Sequence, residues 1–247
     1  MLRRRLITVL TFNDGVLFRT KLFTPDYRYT ANFVDAWSID EIVLLDISRP
    51  ERRNPEFFEA VVTDFSRKCF VPLCVGGGVR SLDDIKRYLD LGADKVSLNT
   101  SALDEPDLIT QAAQRFGSQC VVASIDARRE EGDYRVFRNC GRERTDWRPA
   151  DLAERLERLG AGEILLTSID RDGSLEGYDN DLNASVVRRV TIPVVVCGGA
   201  GKWQDFADAI RLAGADAVAT TNIYHFTETS IRSAKQYLTK HGLCVRV

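Results

Sequence analysis

Val71-Pro-Leu-Cys-Val-Gly-Gly-Gly-Val-Arg80, followed by Leu91-Gly-Ala-Asp-Lys-Val-Ser-Leu-Asn-Thr100, is the stretch that decides the fold, because the chain repeats it. About 120 residues later come Ile192-Pro-Val-Val-Val-Cys-Gly-Gly-Ala-Gly201 and Ala213-Gly-Ala-Asp-Ala-Val-Ala-Thr-Thr-Asn222. Each copy reads as an apolar strand ending in a glycine loop, then a helix, then a strand ending in small hydroxyl or amide residues. Glycine lacks Cβ, so backbone N–H groups can approach an anion, and the helix start behind the loop adds partial positive charge. Two such units predict a ligand with two phosphates, one held by each half. The plain alternative is a pair of tight βα turns that bind nothing; the hydroxyl-rich strand ends beside both loops favour the first reading.

Outward from the repeat, strands and helices alternate. Strand-like runs cover Leu6–Leu10, Ile42–Asp46, Val71–Val75, Lys95–Leu98, Cys120–Asp126, Ile164–Ser168, Pro193–Cys197 and Ala217–Thr220. Helical patterns between them include Leu82–Leu91, Pro106–Phe116, Pro149–Leu159, Leu182–Val190, Trp203–Ala213 and Thr229–His241. Continuous Val, Ile and Leu runs mark strands buried on both faces, as in a parallel sheet. Eight units in 247 residues predict an α/β fold, a single (β/α)8 TIM barrel. Glu41-Ile-Val-Leu-Leu-Asp46 aligns with Glu163-Ile-Leu-Leu-Thr-Ser168 at the same offset as the glycine loops, which reads as two half-barrel repeats. No linker breaks the pattern, so one domain over residues 1–247 is expected.

Composition narrows the classes. Hydrophobic residues make up 44% and charged residues 28% of the chain, values of a globular protein with a large core. A net charge of −2 offers no basic field for nucleic acid or a membrane surface. No apolar run approaches a membrane span, and Met1-Leu-Arg-Arg-Arg-Leu6 lacks the apolar core of a signal peptide. The cysteines at 69, 74, 120, 140, 197 and 244 form no CxxC pair and mostly fall in apolar runs, so reduced, buried thiols and a cytoplasmic setting are expected. With only His225 and His241 present, a histidine-based metal site is not expected, nor is a cofactor. The glycine loops lack GxGxxG spacing, and a flavin would use one phosphate site where the duplication offers two.

Chemistry in a TIM barrel sits where the strands end. Two carboxylates across such a mouth could share acid and base work. Asp126, ending Val121-Val-Ala-Ser-Ile-Asp126, is the candidate for one. Its half-barrel counterpart, at the end of Leu6-Ile-Thr-Val-Leu-Thr11, is Thr11, and a threonine of ordinary pKa is no carboxylate base. Cys197 reads as a packing residue, because no histidine lies near it in strand order. His225 is expected as a helix-entry residue, and Trp37, Trp147 and Trp203 as packing residues. Asp170 and Asp172 are weak evidence for a metal. The basic loop Arg49-Pro-Glu-Arg-Arg53 leaves two readings open: contact with a substrate phosphate, or a solvated rim.

Over essentially its full length the chain resembles the cyclase subunit (HisF) of imidazole glycerol phosphate synthase. The resemblance is carried by Val75-Gly-Gly-Gly-Val-Arg80, Gly92-Ala-Asp-Lys-Val-Ser97, Phe116-Gly-Ser-Gln-Cys120, Gly160-Ala-Gly-Glu-Ile-Leu-Leu-Thr-Ser-Ile-Asp-Arg-Asp-Gly173, Gly177-Tyr-Asp179 and Cys197-Gly-Gly-Ala-Gly201. It implies a barrel paired with a separate glutaminase whose ammonia crosses the barrel core. At the far face ammonia attacks a bisphosphorylated ribonucleotide, yielding imidazole glycerol phosphate and an aminoimidazole carboxamide ribotide. It places Gly77, Gly78, Asn99 and Thr100 on one phosphate site, and Asp172, Gly173, Gly199 and Thr221 near the other. Asp126 falls on one of the family's two catalytic aspartates; the other falls on Thr11. The segment Arg19–Thr30, expected as a loop that closes over substrate, lacks the family's Lys-Gly opening and Gly-Asp-Pro exit.

The opposite face keeps the family pattern. Arg5, Glu41, Lys95 and Glu163 each precede a strand's apolar run and can pair in a ring closing the barrel floor, which the resemblance implies is the ammonia gate. Asp94 falls on the glutaminase contact. Some family members share the Arg-Arg-Arg start, a Lys/Arg-Thr and Phe first loop and no first-strand aspartate. Their occurrence with surface-sugar pathways implies delivery of ammonia to a third enzyme that amidinates a sugar, so an ammonia-delivering paralogue is the preferred expectation. A histidine-pathway cyclase that tolerates Thr11 is the alternative.

Overall fold

Why the barrel closes follows from its register. The computed structural model describes residues 3–28, 39–49, 51, 53–220 and 231–246. Among the described residues twelve strands run in chain order: β1 (Arg5–Asn13), β2 (Val16–Lys21), β3 (Thr24–Arg28), β4 (Glu41–Asp46), β5 (Leu73–Gly76), β6 (Lys95–Leu98), β7 (Val121–Glu130), β8 (Asp133–Arg138), β9 (Glu143–Arg144), β10 (Glu163–Ser168), β11 (Val194–Cys197) and β12 (Ala217–Thr220). The parallel strands β1, β4, β5, β6, β7, β10, β11 and β12 are neighbours in that order, and β12 returns to β1 with Arg5 opposite Ala217. This is a closed eight-stranded (β/α)8 barrel. The helices are α1 (Pro55–Lys68), α2 (Leu82–Asp90), α3 (Thr100–Asp104), α4 (Asp107–Phe116), α5 (Pro149–Arg158), α6 (Asn180–Val187), α7 (Trp203–Leu212) and α8 (Ile231–Lys240).

Strand alternation splits the core into two. Residues of one parity, Ile7, Val9, Val43, Cys74, Val122, Leu165, Val195, Ala217 and Ala219, form a separate cluster that fills the barrel interior. The other parity, including Leu6, Leu10, Ile42, Leu44, Val75 and Val196, packs outward against helix faces carrying Phe58, Ile85, Ile109, Leu156 and Phe206. Three aspartates stand one residue before a strand and tie neighbours together. Asp40 accepts from Leu6 N at 2.8 Å, Asp94 from Leu73 N at 2.8 Å, and Asp216 from Val194 N at 3.1 Å.

The eight expected strands are all present: Lys95–Leu98 and Ala217–Thr220 keep the expected bounds, and the other ends move by at most four residues. Val71 and Pro72 stay outside β5, and Pro193 outside β11, because proline has no N–H for the ladder. Cys120 lies in a 3-10 turn ahead of β7. The expected Leu182–Val190 helix runs instead over Asn180–Val187, since Asp179 caps it from the front by accepting from Leu182 N. The start of the expected Thr229–His241 helix, and Thr221, Asn222, His225 and Trp37, lie outside the described residues. The cysteines are all free, but only Cys74 is fully buried and Cys244 is exposed, against the expectation of buried thiols throughout.

Two hairpins depart from the alternating plan. The segment expected as a loop after Arg19 is instead a β-hairpin: β2 pairs antiparallel with the end of β1, Thr11 opposite Phe18, and β3 pairs with β2. Asp14-Gly15 forms the first turn with φ of 51° and 72°, a turn signal present in the sequence. The second turn is Leu22-Phe23 with φ of 50° and 62°, unusual for bulky residues and invisible to turn chemistry. After the barrel section of β7 a second hairpin, β7–β8, places Asp126 opposite Phe137.

Candidate functional site

Interior parity and strand ends converge on the mouth. Thr11 on β1 and Asp126 on β7 share the inward parity, and their strands lie four apart in the eight-stranded ring, so they face each other across it. Thr11 Oγ1 donates to the Phe18 carbonyl at 2.5 Å, so its hydroxyl is tied into the β1–β2 hairpin. Asp46, nearest in sequence register to Thr11, cannot substitute for a carboxylate there. It has the opposite parity, accepts from Ser48 N at 2.9 Å and pairs with Arg53 Nε at 2.9 Å.

Asp126 is the chemically poised group. Burial lifts its pKa from 3.8 to about 7; an Asn99 hydrogen bond pulls the other way, and the Asp172 charge adds to the rise. Asn99 Nδ2 donates to Asp126 Oδ2 and to the Ser124 carbonyl, both at 3.1 Å, which fixes the carboxyl. A carboxyl balanced near neutrality can give or take a proton at physiological pH. Cys197 cannot serve as a nucleophile, since burial pushes its thiol up to about 12.

Glycine loops border the mouth in both halves. Gly77 (φ 106°) and Gly198 (φ 96°) are the first residues after β5 and β11, and Gly78 (φ 70°) and Gly199 (φ 108°) the second. A Cβ on Gly77 would lie 2.2 Å from the Asp46 carbonyl oxygen, and one on Gly199 2.2 Å from that of Gly177. Both loops are therefore built on close backbone approach. Helix α2, capped by Ser81, follows the first loop with Gly78 in it, and α7 follows the second. Asn99 and Thr100 stand at the start of α3, beside Asp126, and Thr100 Oγ1 accepts from Asn139 N at 3.1 Å.

Asp172 and Gly173 lie under the first hairpin. Thr20 Oγ1 and Phe23 N donate to the two Asp172 carboxylate oxygens, each at 3.0 Å, and Leu22 N reaches the Asp172 carbonyl at 3.2 Å. A Cβ on Gly173 would be 2.5 Å from the Thr20 carbonyl oxygen, so the hairpin rests directly on this loop. These contacts hold the Leu22-Phe23 turn, and Phe23 packs over Gly141 in the turn between β8 and β9. Burial raises the Asp172 pKa, against the pull of the Phe23 and Thr20 hydrogen bonds.

At the floor, Arg5, Glu41, Lys95 and Glu163 stand at the first positions of β1, β4, β6 and β10 and form a closed alternating ring. Arg5 pairs with Glu41 at 2.7 Å and with Glu163; Lys95 pairs with Glu41 at 2.9 Å and Glu163 at 2.7 Å. Burial works against the charge of Lys95, yet Glu163 and Glu41 outweigh it and raise its pKa. Burial likewise opposes ionisation of Glu163, but Arg5 and Lys95 hold it below the usual range. The ring seals the apolar interior on the side away from the mouth. Asp94, one residue before Lys95, is committed to Leu73 N.

The structure thus brings Asp126, Asn99 and Thr100 together at the mouth and the four charged residues together at the floor; Thr221 lies outside the described residues. Sequence reasoning left Arg53 open between phosphate contact and solvated rim. It is a mostly buried partner of Asp46, and its guanidinium lies on the first glycine loop. Among the described residues no cluster of histidine, cysteine and acidic side chains could hold a metal, and no helix is long and apolar enough to cross a membrane.

Comparison with known proteins agrees with this geometry. Residues 8–230 match the family described as Histidine biosynthesis protein. The chain belongs to that family. Its relatives include imidazole glycerol phosphate synthase subunit HisF of Dehalococcoides mccartyi, 42% identical over 100% of this chain and 99% of the relative. The HisF subunit of Halalkalibacterium halodurans is also 42% identical, and that of Geobacillus thermodenitrificans 41%, each over the whole of both chains.

Proposed function

We propose that this chain is a HisF-type synthase subunit of a glutamine amidotransferase complex, acting as one barrel domain over residues 1–247. A glutaminase partner docks on the floor beside Asp94, and ammonia passes the ring of Arg5, Glu41, Lys95 and Glu163 into the barrel. At the mouth a bisphosphorylated or otherwise phosphorylated small molecule is held by Gly77, Gly78, Asn99 and Thr100 on one side, and by Asp172, Gly173, Gly199 and Thr221 on the other. Asp126 moves the proton. The observation that carries the reading is the mouth's asymmetry: a poised Asp126 faces Thr11, whose only proton is donated to the Phe18 carbonyl. Cyclisation of the bisphosphorylated ribonucleotide needs acid–base work on both sides of the mouth, so its loss on one side favours a paralogue that delivers ammonia to a third enzyme for amidination of a surface sugar.

The second reading is a true cyclase in histidine biosynthesis, favoured by the relatives' names and by the intact Asn99–Asp126 pair. The test is a cyclase assay with saturating ammonium on wild type and Thr11→Asp. Loss of one positioned acid–base group costs about 10²–10⁴-fold. The delivery reading expects negligible wild-type turnover and a partial gain in Thr11→Asp. Robust wild-type turnover returns the chain to the cyclase reading.

A further inference from the structure

We infer that Arg53 is a phosphate-binding residue of the first half-barrel, and that the two anion sites are unequal because of it. The inference rests on reading the glycine loops as anion sites and deepens that reading. Its side chain is 18% exposed, and a Cβ built on Gly78 would fall 1.8 Å from Arg53 Nη1 and 2.5 Å from Cζ. The guanidinium therefore occupies the space that the missing Gly78 side chain leaves.

Its other contacts fix its direction. Nη2 donates to the Ser48 carbonyl at 2.9 Å, and Nε faces Asp46 Oδ2 at 2.9 Å while forming no hydrogen bond of good geometry. Among the described residues, Nη1 makes no hydrogen bond. The anchored side of the fork points back at β4 and the unspent donors lie against the Gly77–Gly78 loop, ahead of the Ser81-capped start of α2. Converging guanidinium and loop donors suit a phosphomonoester dianion, which takes several charge-assisted hydrogen bonds at once.

The duplication supplies an internal control. By strand register Gly78, two residues beyond β5, corresponds to Gly199, two residues beyond β11, where a Cβ would meet the Gly177 carbonyl oxygen at 2.2 Å and Arg171 Cβ at 3.1 Å rather than a guanidinium. Arg53 thus places guanidinium donors in the Cβ space of one loop, whereas the Arg171 guanidinium beside the other pairs with Glu176. The first half should hold the more highly charged or more tightly bound phosphate end of the ligand.

The experiment is a titration with inorganic phosphate followed by 31P NMR and calorimetry, on wild type, Arg53→Gln, Arg53→Lys and Gly199→Val, with thermal melting in parallel. Wild type is expected to show two unequal sites. Arg53→Gln should weaken the tighter one about 10- to 100-fold, the usual range for a charged hydrogen-bonding partner, and leave the weaker one unchanged. Arg53→Lys should recover part of that, because it restores the charge without the fork. Gly199→Val should remove the weaker site alone. If both wild-type sites persist unchanged in Arg53→Gln, or both fall together, the inference is overturned while the anion-site reading stands. If wild type binds no phosphate, the anion-site reading itself fails. Should Arg53→Gln not fold, the lysine variant decides: tighter-site affinity equal to wild type overturns the role given to the guanidinium fork.

Discussion

Replacing Asp126 by asparagine removes a carboxyl whose burial opposes its ionisation. In the folded protein its pKa stands at about 7, against 3.8 for an exposed aspartate. The folded state therefore binds a proton more tightly than the unfolded chain, and stability falls as pH rises from about 4 to about 7. At ~1.36 kcal/mol per pH unit, the gap comes to about 4 kcal/mol at pH 7.5 and shrinks to less than about 1 kcal/mol at pH 4. An asparagine side chain has nearly the same volume and a carbonyl oxygen that still accepts from Asn99 Nδ2, so little packing is lost. Urea denaturation of wild type and Asp126→Asn at pH 4, 6 and 8 reads the difference directly. The variant should be the more stable at pH 8 by up to about 4 kcal/mol, with the gain fading towards pH 4, while any activity that depends on this proton disappears. A variant that is destabilised at pH 8, or whose stability difference does not change with pH, refutes the reasoning that burial, not pairing, governs this carboxyl.

Three further outcomes follow from the geometry. Glu163→Gln leaves Arg5 and Lys95 sharing Glu41 alone, so it should cost about 3–5 kcal/mol by denaturation. Because the Glu163 pKa is lowered, the wild-type advantage is present above the ordinary glutamate range and should vanish as pH falls through the folded value. Asp172→Ala removes the acceptor of Thr20 Oγ1 and Phe23 N, so trypsin should cut at Arg19 or Lys21 at least several-fold faster, with the barrel melting little changed. Gly77→Ala should destabilise by about 1–3 kcal/mol or more, through a positive φ and the 2.2 Å approach to the Asp46 carbonyl; an unchanged melting temperature would show that the loop relaxes freely.

Barrel, duplication and strand order were legible in the sequence because each is a local matter: apolar runs of strand length, glycine loops at fixed offset and helical periodicity recur along the chain regardless of what they touch. The same holds for the Thr11 and Asp126 asymmetry, since parity and strand ends follow from counting along a strand. The β2–β3 hairpin was not legible, because Leu22-Phe23 carries no turn chemistry; it is held by Asp172, about 150 residues away in sequence. Nor could sequence decide between a solvated and a buried Arg53, which depends on Asp46 and on the Cβ space at Gly78. Four charges placed before strands announce a ring, but only barrel closure brings β10 beside β7 and lets Arg5 and Lys95 each meet both glutamates. Local pattern sets which residues share a face; the pKa of Asp126, the latch on Asp172 and the seat of Arg53 come from groups distant in the chain, whose fields and hydrogen bonds exist only after the tertiary fold removes water from between them.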